Sequence, residues 1–174
     1  DEEEDTGGDE EAEAGPTGPD PAEVARRMEA LAADYAKFKK ANAKSGPQAK
    51  NVVKLRGEMA EQFVTFKLPL PLTDTLVRKL REVMAQIKDH ERRVLHLDTN
   101  VARMPRKDFI RAWEGNQVNL EWVDEVLKRK QKWSSALRDV KDQIVSEQQA
   151  TIAIEQRMHL DLADIREIGR QMAY

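Results

Sequence analysis

The sequence predicts an all-α fold: an elongated antiparallel helical hairpin or bundle with heptad seams, preceded by a disordered acidic segment. Three observations predict it. Apolar residues recur at steps of three and four through most of residues 21–174, the spacing that gathers them on one helix face. No stretch alternates apolar with polar residues as a half-buried strand would. The charge is sharply divided: residues 1–20 hold ten acids and no base, and residues 21–174 hold 22 acids against 29 bases.

The acidic head, residues 1–20, contains Gly7, Gly8, Gly15, Pro16, Gly18 and Pro19, and its only apolar side chains are two alanines. It cannot bury enough surface to offset its ordering entropy and reads as a disordered linker. Residues 21–174 form the helical domain. Asp20-Pro21-Ala22-Glu23 opens the first helix, with Asp20 as N-cap, Pro21 in the first turn and Glu23 completing a box-like pair. Val24, Met28, Leu31, Tyr35 and Phe38 form its stripe, and Ser45-Gly46-Pro47 ends it. The second stripe runs through Val52, Met59, Phe63 and Phe66, with Arg56 as a polar interruption. Lys67 to Leu72 carries two prolines and reads as an extended connector.

Thr73 or Asp74 can cap the third helix, whose seam is Leu76, Leu80, Val83, Ile87, His90, Val94, Leu97, Val101 and Met104. Pro105 opens a short helical segment to Trp113, closed by Glu114-Gly115-Asn116. Asn119 can cap a last long helix with a seam from Val123 to Met158, about 50 Å over five heptads, bent if anywhere at Ser134-Ser135. Leu162, Ile165, Ile168 and Met172 form a final short stripe. Two long seams with a short connector pack antiparallel. Leu80, Ile87 and Val94 are then expected to face Val140, Leu137 or Ile144. The polar seam positions His90, Lys130 and Glu147 are expected to be solvated, snorkelling or paired, because an unpaired buried charge is costly.

Composition narrows the chemistry. With no Cys, disulfides, thiol catalysis and Cys-ligated zinc are excluded, and a reduced, cytoplasmic setting fits best. Mean hydropathy is −0.72, and no run approaches the ~18 apolar residues of a membrane span. There is no phosphate-binding glycine loop, no HExxH, no EF-hand and no GxSxG pattern, so the chain reads as a non-enzyme with no cofactor. His90 and His96 lie on different helix faces, and Asp89-His90-Glu91 is a poor ligand set. His159 and Asp161 sit near a helix end, where capping explains them. Two basic clusters remain as candidate partner or DNA contacts: Arg103, Arg106, Lys107 and Arg111, then Lys128, Arg129, Lys130 and Lys132. The plain alternative is solvated surface. Trp113, Trp122 and Trp133 could anchor a partner, but helix packing accounts for most of them.

An acidic stretch followed by Asp20-Pro21, then Val101-Ala-Arg-Met-Pro-Arg-Lys-Asp-Phe109, Ile110-Arg-Ala-Trp113-Glu-Gly115-Asn116 and Trp122, resembles the bacterial primary (housekeeping, sigma-70 class) sigma factors of RNA polymerase. The resemblance is to the variable, non-conserved insert between their conserved regions 1.2 and 2, and the ending Leu162 to Tyr174 looks like the approach to region 2.1. It implies a non-catalytic interaction module of a transcription initiation factor. Such a module contacts the polymerase core through the β′ subunit, assists promoter escape and, within the whole factor, lies near promoter DNA. It implies also that region 1.2 precedes Asp1 and that the promoter-melting surface lies beyond Tyr174. No family motif assigns those contacts residue by residue. Met104-Pro105…Phe109 and Gly115-Asn116 look like corner residues that define the fold. A free-standing coiled-coil scaffold and a weak nucleic-acid-binding module are the alternative readings.

Overall fold

The structure, a computed structural model, describes residues 18–173. Most of the acidic head therefore lies outside the described residues. Among those residues there are α-helices, one π-helical turn and no strand. The helices are α1 (Pro21–Ser45), α2 (Lys50–Val64), α3 (Leu70–His96), α4 (Arg106–Trp113), α5 (Trp122–Leu127), α6 (Ser134–Asp139), α7 (Lys141–Met158) and α8 (Leu162–Met172), and the π turn is Leu97–Val101. None is long and apolar enough to cross a membrane.

Local punctuation sets the first helices. The Asp20 carboxylate accepts from the Ala22 N–H at 3.1 Å, and Pro21 occupies the first turn. Glu23 does not complete the box; its carboxylate pairs with Arg26 and Arg27 on its own helix. Gly46, at φ 80°, ends α1 and donates to the Asn42 carbonyl, a positive-φ cap that glycine adopts without steric penalty. The α1 stripe is only partly covered: Phe38 is buried, whereas Met28 and Tyr35 stay exposed. The connector before α3 is shorter than its prolines suggest. Helix α3 begins at Leu70, with Pro69 as N-cap and Pro71 in the first turn, where a missing N–H breaks no bond. Thr73 and Thr75 lie inside the helix, with hydroxyls bonded back to the Pro69 and Pro71 carbonyls.

Helices α3 and α7 pack antiparallel: Gln86 receives a bond from Arg157, while His90, one turn further along α3, meets Glu147. Of the expected pairings, Val94 does join Leu137, Val140 and Ile144. Ile87 instead meets Ile154 with Leu162 and Ile165, because α8 folds back on α3. Gly169 lets α8 approach the Met84 side chain. The α1–α2 pair docks on the corner between α7 and α8. There Tyr35 and Phe38 pack edge-on to His159, and Gln48 and Arg56 reach Asp164.

Both long seams are interrupted. After His96 the chain widens into the π turn, marked by the Ala102 N–H donating to Leu97 at 2.8 Å. The extra residue rotates the register, so Asp98, Ala102 and Met104 are buried and Val101 is exposed. The expected 50 Å helix is three pieces. The chain unwinds after Leu127 through Lys130, which has φ 47°, and Ser134 catches the Gln131 N–H at 2.8 Å before α6 starts. A second irregularity follows at Val140, leaving α7 about 27 Å long. The expected break at Ser134-Ser135 is thus displaced to the residues just before it.

Candidate functional site

The two interruptions flank α4, and together they build the basic end of the molecule. The π turn delivers Arg103, in the left-handed region at φ 63°. Pro105 then caps α4, receiving the Asp108 and Phe109 N–H groups. Phe109 and Trp113, one turn apart, bury one face of α4. The opposite face leaves Arg106, Lys107, Ile110 and Arg111 exposed. Trp122, Val123 and Val126 anchor α5, and the turn after it exposes Lys128, Arg129, Lys130 and Lys132. A cleft of about 130 Å³ lies between α4 and the turn after α5, with Arg129 from the second cluster in its lining. Met104, Asp108 and Ala112 line one side, with Arg129, Gln131 and Trp133 across from them. Lys130 is therefore not a seam residue; it sits on an exposed turn. None of the eight bases forms an ion pair among the described residues.

The aromatic residues beneath this surface are core. Trp113 and Trp122 lie edge to face with centroids 4.8 Å apart, and Phe109 packs on both. The Trp122 indole N–H donates to the Ala112 carbonyl at 2.7 Å, tying α5 to α4. Trp133 is half-buried at the cleft.

Most of the other polar candidates have structural partners. His90 Nδ1 lies 2.5 Å from Glu147, and Arg93 approaches the same carboxylate, so the polar residues of the two seams answer each other. His159 ends α7 in a left-handed conformation, and Asp161 caps α8 by accepting from the Asp164 N–H. Asp124 pairs with Lys141 at 2.7 Å. His96 faces a groove beside Arg92 and Asp142. Among the described residues no three His, Asp or Glu side chains gather as a metal ion would need.

Two buried polar residues lie outside every sequence expectation. Gln148 donates to the Asn116 and Asn119 carbonyls and fixes the turn before α5 against α7. Asp98 is completely buried, and neither carboxylate oxygen has a hydrogen-bond partner. Burial pushes its carboxyl up to about 8, so it is neutral at pH 7. The available signal was its spacing: Val94, Asp98 and Ala102 repeat every four residues, and all three are buried.

Comparison with known proteins gives the same frame to this geometry. Residues 1–155 match the family described as "Sigma-70, non-essential region". The RNA polymerase sigma factor RpoD of Neisseria gonorrhoeae is 23% identical over 139 residues, covering 80% of this chain. The chain spans about a fifth, 22%, of that relative's length. On a match that takes in nearly all of its helical hairpin, the chain belongs to the family of the sigma-70 non-essential region.

Proposed function

We propose that this chain is a non-catalytic interaction module of a bacterial transcription initiation factor. It docks on the RNA polymerase core through the β′ subunit, works in the cytoplasm, and supports promoter-dependent initiation and promoter escape. Residues 1–20 serve as a linker and residues 21–174 as the helical insert, with α8 leading toward region 2.1. The family match over residues 1–155 carries the reading. The antiparallel α3–α7 pair suits it, because a packed arm presents the same surface to its partner each time it docks.

Two experiments test it. Immobilised chain should retain purified core polymerase, and crosslinking should mark β′. Retention of no core subunit would refute the docking. A whole factor lacking this insert should still start transcription but release more abortive RNA per full-length transcript. An unchanged ratio would remove promoter escape from the function.

A further inference from the structure

We propose that the groove along α3, between α8 and α4, is a docking site for an acidic amphipathic helix of a partner protein. The proposal goes beyond the polymerase reading and does not rest on it; either can fail alone.

Helical spacing builds the groove. Met84, Ile87, Lys88, Glu91, Arg92 and Leu95 follow one face of α3, and each lines a cavity. A cavity of about 710 Å³ lies against α8, where Ala163, Arg166, Arg170 and Ala173 recur at steps of three and four. A second, of about 340 Å³, reaches Phe109 and Trp113 of α4. Lys88 and the Glu91–Arg166 ion pair line both, so one cavity runs on into the other. From Met84 to Leu95 the helix rises about 16 Å, or about three turns.

The floor is apolar and the rim cationic. Ile87, Ile165, Phe109 and Trp113 are core residues at the base of the groove, and Ala163 and Ala173 are too small to fill the space above them. Lys88, Arg92, Arg166 and Arg170 stand exposed around it. Glu91 is the one acid in the lining, and Arg166 already pairs with it, which leaves the other three cations in excess. Lys88 forms no ion pair among the described residues. Arg92 and Arg170 hold partners one turn away on their own helices, Asp89 and Glu167. Such exposed pairs contribute little, so a carboxylate arriving with a docked partner can replace them.

This pattern selects its occupant. An apolar floor about three turns long suits the apolar face of a helix, and the surrounding cations call for Asp or Glu beside that face. The chain's own head does not fit. Residues 1–17 hold nine acids, but their only apolar side chains are Ala12 and Ala14, which cannot cover the floor. A second copy that met this groove with its own would set cation against cation.

The test follows the methyl signal of Met84 by NMR in the whole chain with labelled methionine, assigned through Met84→Leu. The probe is a helical peptide of about four turns, with Leu at steps of three and four and Glu on both flanks. Its counterpart carries Lys at every Glu position. The Glu peptide should shift Met84 saturably, and the Lys peptide should not. Lys88→Glu with Arg92→Glu should weaken binding about tenfold. Lys40→Glu with Lys44→Glu makes the same charge change at exposed positions of α1 and should weaken it far less. Ala163→Trp fills the groove from an exposed position, so it should abolish binding and leave the melting temperature unchanged. Equal binding of both peptides, equal weakening by the two double variants, or no shift of Met84 would overturn the proposal. Undiminished binding by Ala163→Trp would place the peptide elsewhere on the surface and overturn it too. So would movement of the Met84 signal on deleting residues 1–17, which would give the groove to the chain's own head, or on dilution, which would give it to a second copy.

Discussion

Replacing Asp98 by asparagine tests the most anomalous residue in the core. The side chain is completely buried with both oxygens unpartnered, and its pKa moves from 3.8 to about 8. The raised value means that the folded state holds a proton the unfolded chain releases. Stability from this group is therefore complete below about pH 4, falls as pH rises toward 8, and is level above it. Each pH unit in that window is worth about 1.4 kcal/mol, so by pH 7 the accumulated loss is about 4 kcal/mol. An amide keeps the shape and cannot titrate. Urea unfolding followed by circular dichroism, at several values between about pH 5 and 9, reads the difference between the two proteins. The Asp98→Asn variant should gain on the parent by about 1.4 kcal/mol per unit up to about pH 8 and then hold steady. Glu155, which burial also raises, is common to both and cancels. Asp98→Ala should show the same slope displaced by a cavity penalty, so an amide poorly housed at this site does not obscure the result. A difference that stays flat within about 0.5 kcal/mol across the window would mean that the carboxylate finds solvent or a cation, and the burial argument would fail.

Ile87→Ala should destabilise the chain by about 2–5 kcal/mol in the same assay, because Ile87 fills the cluster shared by α3, α7 and α8; a loss below about 0.5 kcal/mol would place it on the surface. His90→Leu with Glu147→Leu should raise the melting temperature and promote oligomers on light scattering, since the pair sets a polar contact across the α3–α7 seam and fixes its register. A variant that is still monomeric and no more stable would refute the register role. Deleting residues 1–20 turns a net charge of −3 into an excess of seven bases over acids, and should strengthen salt-sensitive binding to random duplex DNA. Equal binding with and without the head, at every salt concentration, would reduce it to a spacer.

What the sequence made legible was local chemistry. Asp20-Pro21 and Gly46 terminate α1 as their types dictate, because a cap or a positive-φ glycine acts within a few residues. The antiparallel hairpin was legible because α3 and α7 each carry apolar residues at helical spacing, Val83, Ile87 and Val94 on one and Ile144 and Ile154 on the other. The register past Val94 was not. Val101 looks like core and Asp98 like surface, and the π turn reverses both, while the seam residues Leu97 and Met104 still pack on the core. Nothing in the composition of residues 97–101 announces that turn; it forms to place Met104 and α4 against Leu137 and Trp122. The break after Leu127 was hidden for a related reason. The heptad spacing runs through it with Lys130 as a polar seam position, and that Lys is the left-handed residue, where a glycine would have marked the stop.

The basic residues were legible one by one, but the surface they form was not, and the hidden breaks explain why. On an unbroken helix Lys128 to Lys132 would wind round the whole circumference, with some of the cations turned toward α3. The α5–α6 turn instead puts all four bases on the outside, with Arg129 lining the cleft beside α4. The π turn does the same for Arg103 at the other flank. Each device has a stability cost: a left-handed Arg, a left-handed Lys, and the buried, unpartnered Asp98 inside the π turn itself. Local rules are broken most often where a protein works, and here three breaches lie beside one unpaired cationic surface. That concentration of breaches separates the basic end from the rest of the chain, where ten of the other 21 Lys and Arg residues are ion-paired. Relaxing Arg103 and Lys130 to glycine, or removing the Asp98 carboxyl, should each make the fold more stable.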